Sequence, residues 1–198
     1  MSNFVQRLIL FVIGLPLLLG IIIFFDQYAH SGWAVVVVTV TFLATRETLQ
    51  LFTRDIPKLY KGVIPTLTAL LPLSTYISFI LPLSIPLMHL ILILSISFIL
   101  IFELFRRRNE LPQHYTQNTT SLFGALIYPG LFMVFTIRFL EFENPLAAIL
   151  LFLLLNFSND TFAYVFGKLF GKGSPHIVAV SPKKTRIGFL GGFAGSII

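Results

Sequence analysis

An all-α, polytopic integral membrane fold is what this sequence predicts. Three observations predict it: runs of about twenty residues without formal charge, 56% hydrophobic against 11% charged residues over 198 positions, and cations gathered in short clusters between the runs. An ordinary soluble domain carries roughly 45–50% apolar and about 25% charged residues, so apolar surface in this excess has to face lipid.

Crossing a hydrocarbon layer of about 30 Å takes about 20 helical residues, which lets the uncharged stretches be divided by length. The first span is expected at Val5 to Phe25. Arg7 ahead of this run and Ala29-His30-Ser31 behind it weakly suggest a cleaved signal peptide, but the run exceeds the usual apolar segment of about 7–15 residues. The second span is expected at about Ser31 to Phe52; its strand-like stretch Val35 to Val38 is overridden because an open strand cannot sit in lipid. From Gly62 to Phe102 no residue is charged, which suits two spans, Val63 to Ile80 and Ile85 to Phe105, with Pro82 and Pro86 at the turn between them. A fifth span is expected at Ser121 to Ile137 and a sixth at Pro145 to Gly167, with Pro145 suited to a first helical turn. A seventh helix begins near Gly188, giving six spans and the start of another.

Alternating sides along this path collect thirteen of the fourteen Lys and Arg residues on one face, leaving Arg138 opposite. That bias predicts a cytoplasmic amino terminus and a cytoplasmic loop at 168–187. The formal charge of +6 is thus a matter of topology, and no nucleic-acid partner is expected from it. The chain has no cysteine, which excludes disulfides and thiolate metal sites.

Chemistry-bearing residues concentrate after position 155. Asn159-Asp160 interrupts the sixth span, and a carboxylate inside a span is expensive, so it usually faces a polar cavity and serves function. The alternative is that the helix ends at Ser158 and Asp160 caps it. The loop Gly167-Lys168-Leu169-Phe170-Gly171-Lys172-Gly173-Ser174, followed by Ser181-Pro182-Lys183-Lys184-Thr185, combines close backbone approach, hydroxyl donors and cations. Such a set makes a phosphate site plausible, although the Walker spacing is absent and binding to anionic head groups fits the composition equally. Gly188, Gly191, Gly192 and Gly195 place small residues at helix-packing intervals, where they serve either tight helix contact or close approach to a phosphate. Glu47 and Glu103 stand near span ends, where pairing with Arg46 and with Arg106 or Arg107 is expected. His89 is expected as a packing residue, and His176 has no second ligand near it to make a metal cluster.

Taken in order, Asn159-Asp160-Thr161-Phe162-Ala163-Tyr164, Gly167, Phe170-Gly171-Lys172 and Ser181-Pro182-Lys183-Lys184-Thr185 through Gly188, Gly191 and Gly192 resemble phosphatidate cytidylyltransferase, also called CDP-diacylglycerol synthase. The resemblance is specific over about Asn156 to Gly192 and elsewhere is one of hydrophobic layout, including Gln6-Arg7-Leu8-Ile9 near the amino terminus. It implies a magnesium-dependent reaction of CTP with phosphatidate giving CDP-diacylglycerol and diphosphate, on a multi-helix membrane fold that is commonly dimeric. It also implies a site open to the cytoplasm of a bacterial inner membrane.

Carried onto this chain, the resemblance makes Asp160, Lys183 and Lys184 the catalytic candidates, with Asp160 on the metal side. Asn159, Lys172, Ser181, Thr185, Gly191 and Gly192 are the substrate-binding candidates. Residues 1–144 then hold the first five spans, and 145–198 open the catalytic region. The chain departs from the family at Arg186-Ile187, where many members have an aromatic or aliphatic residue and then Glu. It also lacks the Lys-Asp, His-Gly-Gly and Asp-Arg-x-Asp signature that follows in the family, so a fragment or truncated product is expected, inactive alone if those acids are needed. Two other functions fit the composition: a CTP-dependent polyprenol or phytol kinase, and a non-enzymatic transport or assembly subunit.

Overall fold

The structure, a computed structural model, describes residues 10–52, 58–81, 83–106, 112–171 and 185–197. All regular elements among the described residues are helical. They divide into two compact units, Met1–Glu143 and Asn144–Ile198.

The first unit opens on a π-helical turn, Leu10–Gly14, that leads into α1, Leu15–Phe24, with Pro16 in its first turn, where a missing N–H costs nothing. A turn then carries two non-glycine residues with positive φ, Ala29 at 52° and His30 at 55°. His30 Nδ1 lies 2.6 Å from Asp26 Oδ1, and the Tyr76 hydroxyl donates to the Ala29 carbonyl at 3.1 Å, so contacts from both sides hold this unfavourable backbone.

Helix α2, Ser31–Phe52, has the bounds expected for the second span. Its buried Thr41 and Thr45 donate back to the carbonyls of Val37 and Thr41 at 2.7 Å, which satisfies hydroxyls that have no water to turn to. Trp33 at its start donates to the Thr136 carbonyl at 2.9 Å.

Helix α3, Lys58–Ile80, begins five residues before the expected Val63, because a helix can run past the lipid boundary. Helix α4, Leu87–Arg106, follows. Helix α5, Pro112–Ala125, also starts ahead of the apolar stretch expected from Ser121; polar side chains mark the edge of the lipid and not the start of the helix. It widens into a π-helical stretch, Leu126–Leu131, at Pro129, whose ring nitrogen cannot donate to the ladder, and continues as α6, Phe132–Ile137. There Gly130 meets Thr68 of α3 so closely that an added Cβ would lie 2.5 Å from Thr68 Cγ2.

Leu49, Ile64, Leu71, Ile99, Leu122, Leu126 and Val134 make the core of this unit together with Tyr60. Inside it Glu103 is fully buried, and the Tyr60 hydroxyl donates to its Oε1 at 2.6 Å. The expected arginine partners fall outside what is described: Arg107 lies outside the described residues and the Arg106 side chain is not described. His89, expected to pack, is instead exposed at the third position of α4.

In the second unit α7, Pro145–Phe170, is capped by Asn144, whose Oδ1 accepts from the Ala147 amide at 3.1 Å. Twenty-six residues give a helix of about 39 Å, longer than the hydrocarbon layer. Helix α8, Arg186–Gly195, starts two residues before the expected Gly188. Among the described residues, five helical stretches are long and apolar enough to cross a membrane, Ser31–Phe52, Leu59–Ile80, Leu87–Phe105, Asn118–Glu141 and Pro145–Phe170, while Val12–Phe24 is a shorter apolar helix.

Candidate functional site

Helix α7 runs unbroken through Asn159 and Asp160, so Asp160 is not a cap at the end of a helix stopping at Ser158. It lies ten residues before the helix ends, about 15 Å along the axis, and is exposed. The helix stops at Gly171, where an added Cβ would collide with the Gly167 carbonyl oxygen and lie 2.9 Å from Thr185 Oγ1. Thr185 is the N-cap of α8: its Oγ1 accepts from the Gly188 amide at 3.2 Å.

Helix α8 packs antiparallel along the second half of α7. Gly188 lies against Ala163 and Gly167, Gly191 against Phe166, Gly192 against Asn159 and Ala163, and Gly195 against Phe162. All four glycines are buried. Side chains there would meet atoms that cannot retreat: a Cβ on Gly188 would come within 2.9 Å of the Ala163 carbonyl oxygen, and one on Gly195 within 2.5 Å of Phe162 Cγ. Phe162 and Phe166, with ring centroids 6.1 Å apart, form the ridge that fills the groove of Gly191 and Gly195. The close approach that Gly191 and Gly192 permit is therefore an approach of α8 to α7.

At the far end of this seam the Asn159 amide nitrogen donates to Ser196 Oγ at 3.0 Å, and that hydroxyl donates to the Gly192 carbonyl at 3.1 Å. The bond turns the Asn159 carboxamide so that its nitrogen faces α8. Ser196 carries no motif signal; its spacing of four from Gly192 is the only hint the sequence offers. Asn159 and Thr185 sit at opposite ends of the contact, about 12 Å apart along α7 by the positions of Asn159 and Gly167. Lys172, Ser181, Lys183 and Lys184 lie outside the described residues, as does His176.

Asp160 stands alone as a carboxylate on this unit's helices, and among the described residues no three His, Asp or Glu side chains gather into a metal-binding group. A single exposed carboxylate suits a magnesium ion, since that ion is commonly held through one or two carboxylates together with substrate phosphates and water.

A phosphatidate cytidylyltransferase of Aquifex aeolicus (strain VF5) is 46% identical to this chain over 67 residues, which cover 34% of this chain and 25% of that protein. The matched segment thus spans a quarter of the relative's length. No solved structure matches the chain. The sequence pattern of the cytidylyltransferase family extends over residues 5–198, from the first apolar run through α8, and the chain belongs to that family.

Proposed function

We propose that this protein is a phosphatidate cytidylyltransferase, joining CTP and phosphatidate into CDP-diacylglycerol and diphosphate in phospholipid biosynthesis. The observation that carries the reading is the family pattern over residues 5–198 together with an exposed Asp160 in the interior of an apolar helix. In this reading the chain has six spans and the start of a seventh in a bacterial inner membrane, and α8 faces the cytoplasm with its capped end. A homodimer is the proposed assembly.

The reaction is attack by a phosphatidate phosphate oxygen on the α-phosphorus of CTP, breaking the bond to the bridging oxygen that leaves with diphosphate. The nucleophile is already anionic, so no side chain has to remove a proton. The protein's task is to position two polyanions and offset their repulsion. Thr185, at the start of α8, is suited to a phosphate oxygen, and Lys172, Ser181, Lys183 and Lys184 would complete the cradle. Gly191 and Gly192 act by seating α8 on α7, which fixes where Thr185 stands relative to Asp160. Asp160 would hold a magnesium ion directly or through its water, while the Asn159 carboxamide, bonded to Ser196, would fix α8 against the turn of α7 that carries Asp160. When bound, that ion would neutralise charge on the triphosphate.

The test is CMP transfer from CTP labelled at the α-phosphate to phosphatidate, with and without magnesium, on the purified chain and on the chain extended by any in-frame coding sequence after Ile198. Label in CDP-diacylglycerol supports the reading. Label entering lipid only from CTP labelled at the γ-phosphate, in a parallel assay, would make the protein a kinase, and absence of both transfers in both forms would overturn the proposed reaction.

A further inference from the structure

Arg46 and Glu47 are neighbours on α2, and both are exposed. They stand six and five residues before the helix ends at Phe52, about 9 and 7.5 Å along its axis. The whole helix measures about 33 Å, little more than a hydrocarbon layer of about 30 Å, so both charges lie inside the edge of that layer. Charged side chains at such depth usually pair with one another or face away from lipid. The pairing expected between these two is not made: adjacent helical side chains diverge by about 100°, and among the described residues the ion pair is the one between Asp26 and His30. Arg46 has a stem long enough to reach head groups, but Glu47 is shorter and is repelled by anionic ones.

The direction of the two charges follows from the buried face of α2, made of Ala34, Val37, Thr41, Thr45 and Leu49. A line midway between Arg46 and Glu47 runs down the opposite side of the helix, with one charge about 50° to each side of it. Leu43 and Gln50 fall on this line about one turn before and after the charges, and both are exposed. Thr39 and Val40, exposed as well, straddle it a further turn away.

Two copies inserted in the same direction, and related by a two-fold axis along the membrane normal, would meet along this line with their α2 helices parallel. The rotation sets Arg46 of each copy against Glu47 of the other, once on each flank and at nearly equal depth. Gln50 would meet its counterpart near the axis, where a carboxamide both donates and accepts. The face is thus complementary in charge to a copy of itself, whereas lipid tails satisfy neither Glu47 nor Gln50.

We propose that the α2 face carrying Leu43, Arg46, Glu47 and Gln50 is a docking surface for a second copy of this chain, closed by two reciprocal ion pairs. The inference gives the homodimer proposed above its surface and rests on that assembly, not on the reaction.

The full chain is labelled at its amino terminus with donor or acceptor dye and diluted in phosphatidylcholine vesicles, and Förster transfer gives the dimer dissociation constant. Glu47→Arg or Arg46→Glu turns both ion pairs into like-charge pairs, and each should weaken the dimer by about tenfold or more. Exchanging the two, Arg46→Glu with Glu47→Arg, restores opposite charges on each flank and should return affinity to within about threefold of wild type. Because the chain has no cysteine, Leu43→Cys introduces a single thiol. Under mild oxidation it should link two copies at least about tenfold faster than Leu104→Cys, which is exposed on α4.

Single-charge variants with wild-type affinity, or an exchange as weak as either single change, overturn the proposal. A dimer in which Leu43→Cys links no faster than Leu104→Cys overturns this surface and leaves the homodimer to another one. A monomeric wild-type protein overturns both: a lower unfolding midpoint in Glu47→Arg then assigns the partner charge to the same chain, and an unchanged midpoint leaves the face to lipid. CMP transfer enters none of these readings, so failure of the proposed reaction is a separate result.

Discussion

The Asn159 amide nitrogen reaches the Ser196 hydroxyl across 3.0 Å, from the interior of one helix to the C-terminal end of the next. Because Ser196 passes its own proton to the Gly192 carbonyl at 3.1 Å, the pair also serves a backbone acceptor at a helix end. Interhelical hydrogen bonds of this kind are worth about 0.6 kcal/mol on average in membrane proteins. A double-mutant cycle on Asn159→Ala and Ser196→Ala, read by unfolding in mixed micelles, should return a coupling of about 0.5–1 kcal/mol. Coupling of zero would mean that the two side chains do not meet.

The glycines of α8 make a sharper test of the seam. A Cβ on Gly191 would overlap the Cβ and ring of Phe166, and one on Gly195 would reach Phe162 Cγ at 2.5 Å, whereas Gly192 is opposed at 3.0 Å by Ala163 Cβ and the Asn159 carbonyl. Gly191→Ala and Gly195→Ala should each cost about 1–3 kcal/mol, with Gly192→Ala at the lower end. The matched control is Gly62→Ala in α3, where nothing lies within 4 Å of the added methyl. That change should be neutral or stabilise by up to about 1 kcal/mol. Equal losses at Gly191 and Gly62 would dissolve the packing argument.

What the sequence made legible, and what it hid, follows from the range of the signal. Charge and apolar length are local properties, so α2 appears at its expected bounds Ser31–Phe52, and Pro145 marks the start of α7 as expected. Helix ends beyond the lipid are not marked by hydropathy, which is why α3 and α5 start early at Lys58 and Pro112. The glycine spacing in α8 announced a close approach but not its counterpart, since the Phe162 and Phe166 ridge lies more than twenty residues upstream and looks like any apolar pair. The Tyr60 and Glu103 bond spans 43 positions, and nothing near Glu103 in sequence points to a phenol on another helix.

That bond yields a prediction for the first unit. Tyr60 and Glu103 are 1% and 0% exposed, so water does not replace a hydrogen bond lost between them. Tyr60→Phe should destabilise the protein by about 1–3 kcal/mol, the contribution of a buried hydrogen bond to a carboxyl group. Glu103→Gln should cost less, because a carboxamide oxygen still accepts from the Tyr60 hydroxyl. Thermal unfolding in detergent decides between them; a Tyr60→Phe midpoint at the wild-type value would show that the hydrogen bond adds nothing.

Asp160→Asn separates a catalytic carboxylate from a structural one. The residue is exposed in the interior of α7, away from both caps of the helix, and an asparagine of the same shape fits there without repacking. Removing a charge from an apolar span also eases its insertion, so folding and membrane yield should stay at or above wild type. Structural interest alone would favour the substitution, whereas the proposed reaction needs the charge. If Asp160 holds the ion that neutralises the triphosphate, CMP transfer should fall by about a hundredfold or more while CTP binding through the cationic loop declines far less. A folded Asp160→Asn protein that transfers CMP at the wild-type rate would take Asp160 out of the mechanism and leave the phosphate cradle as the whole of the chemistry in this unit.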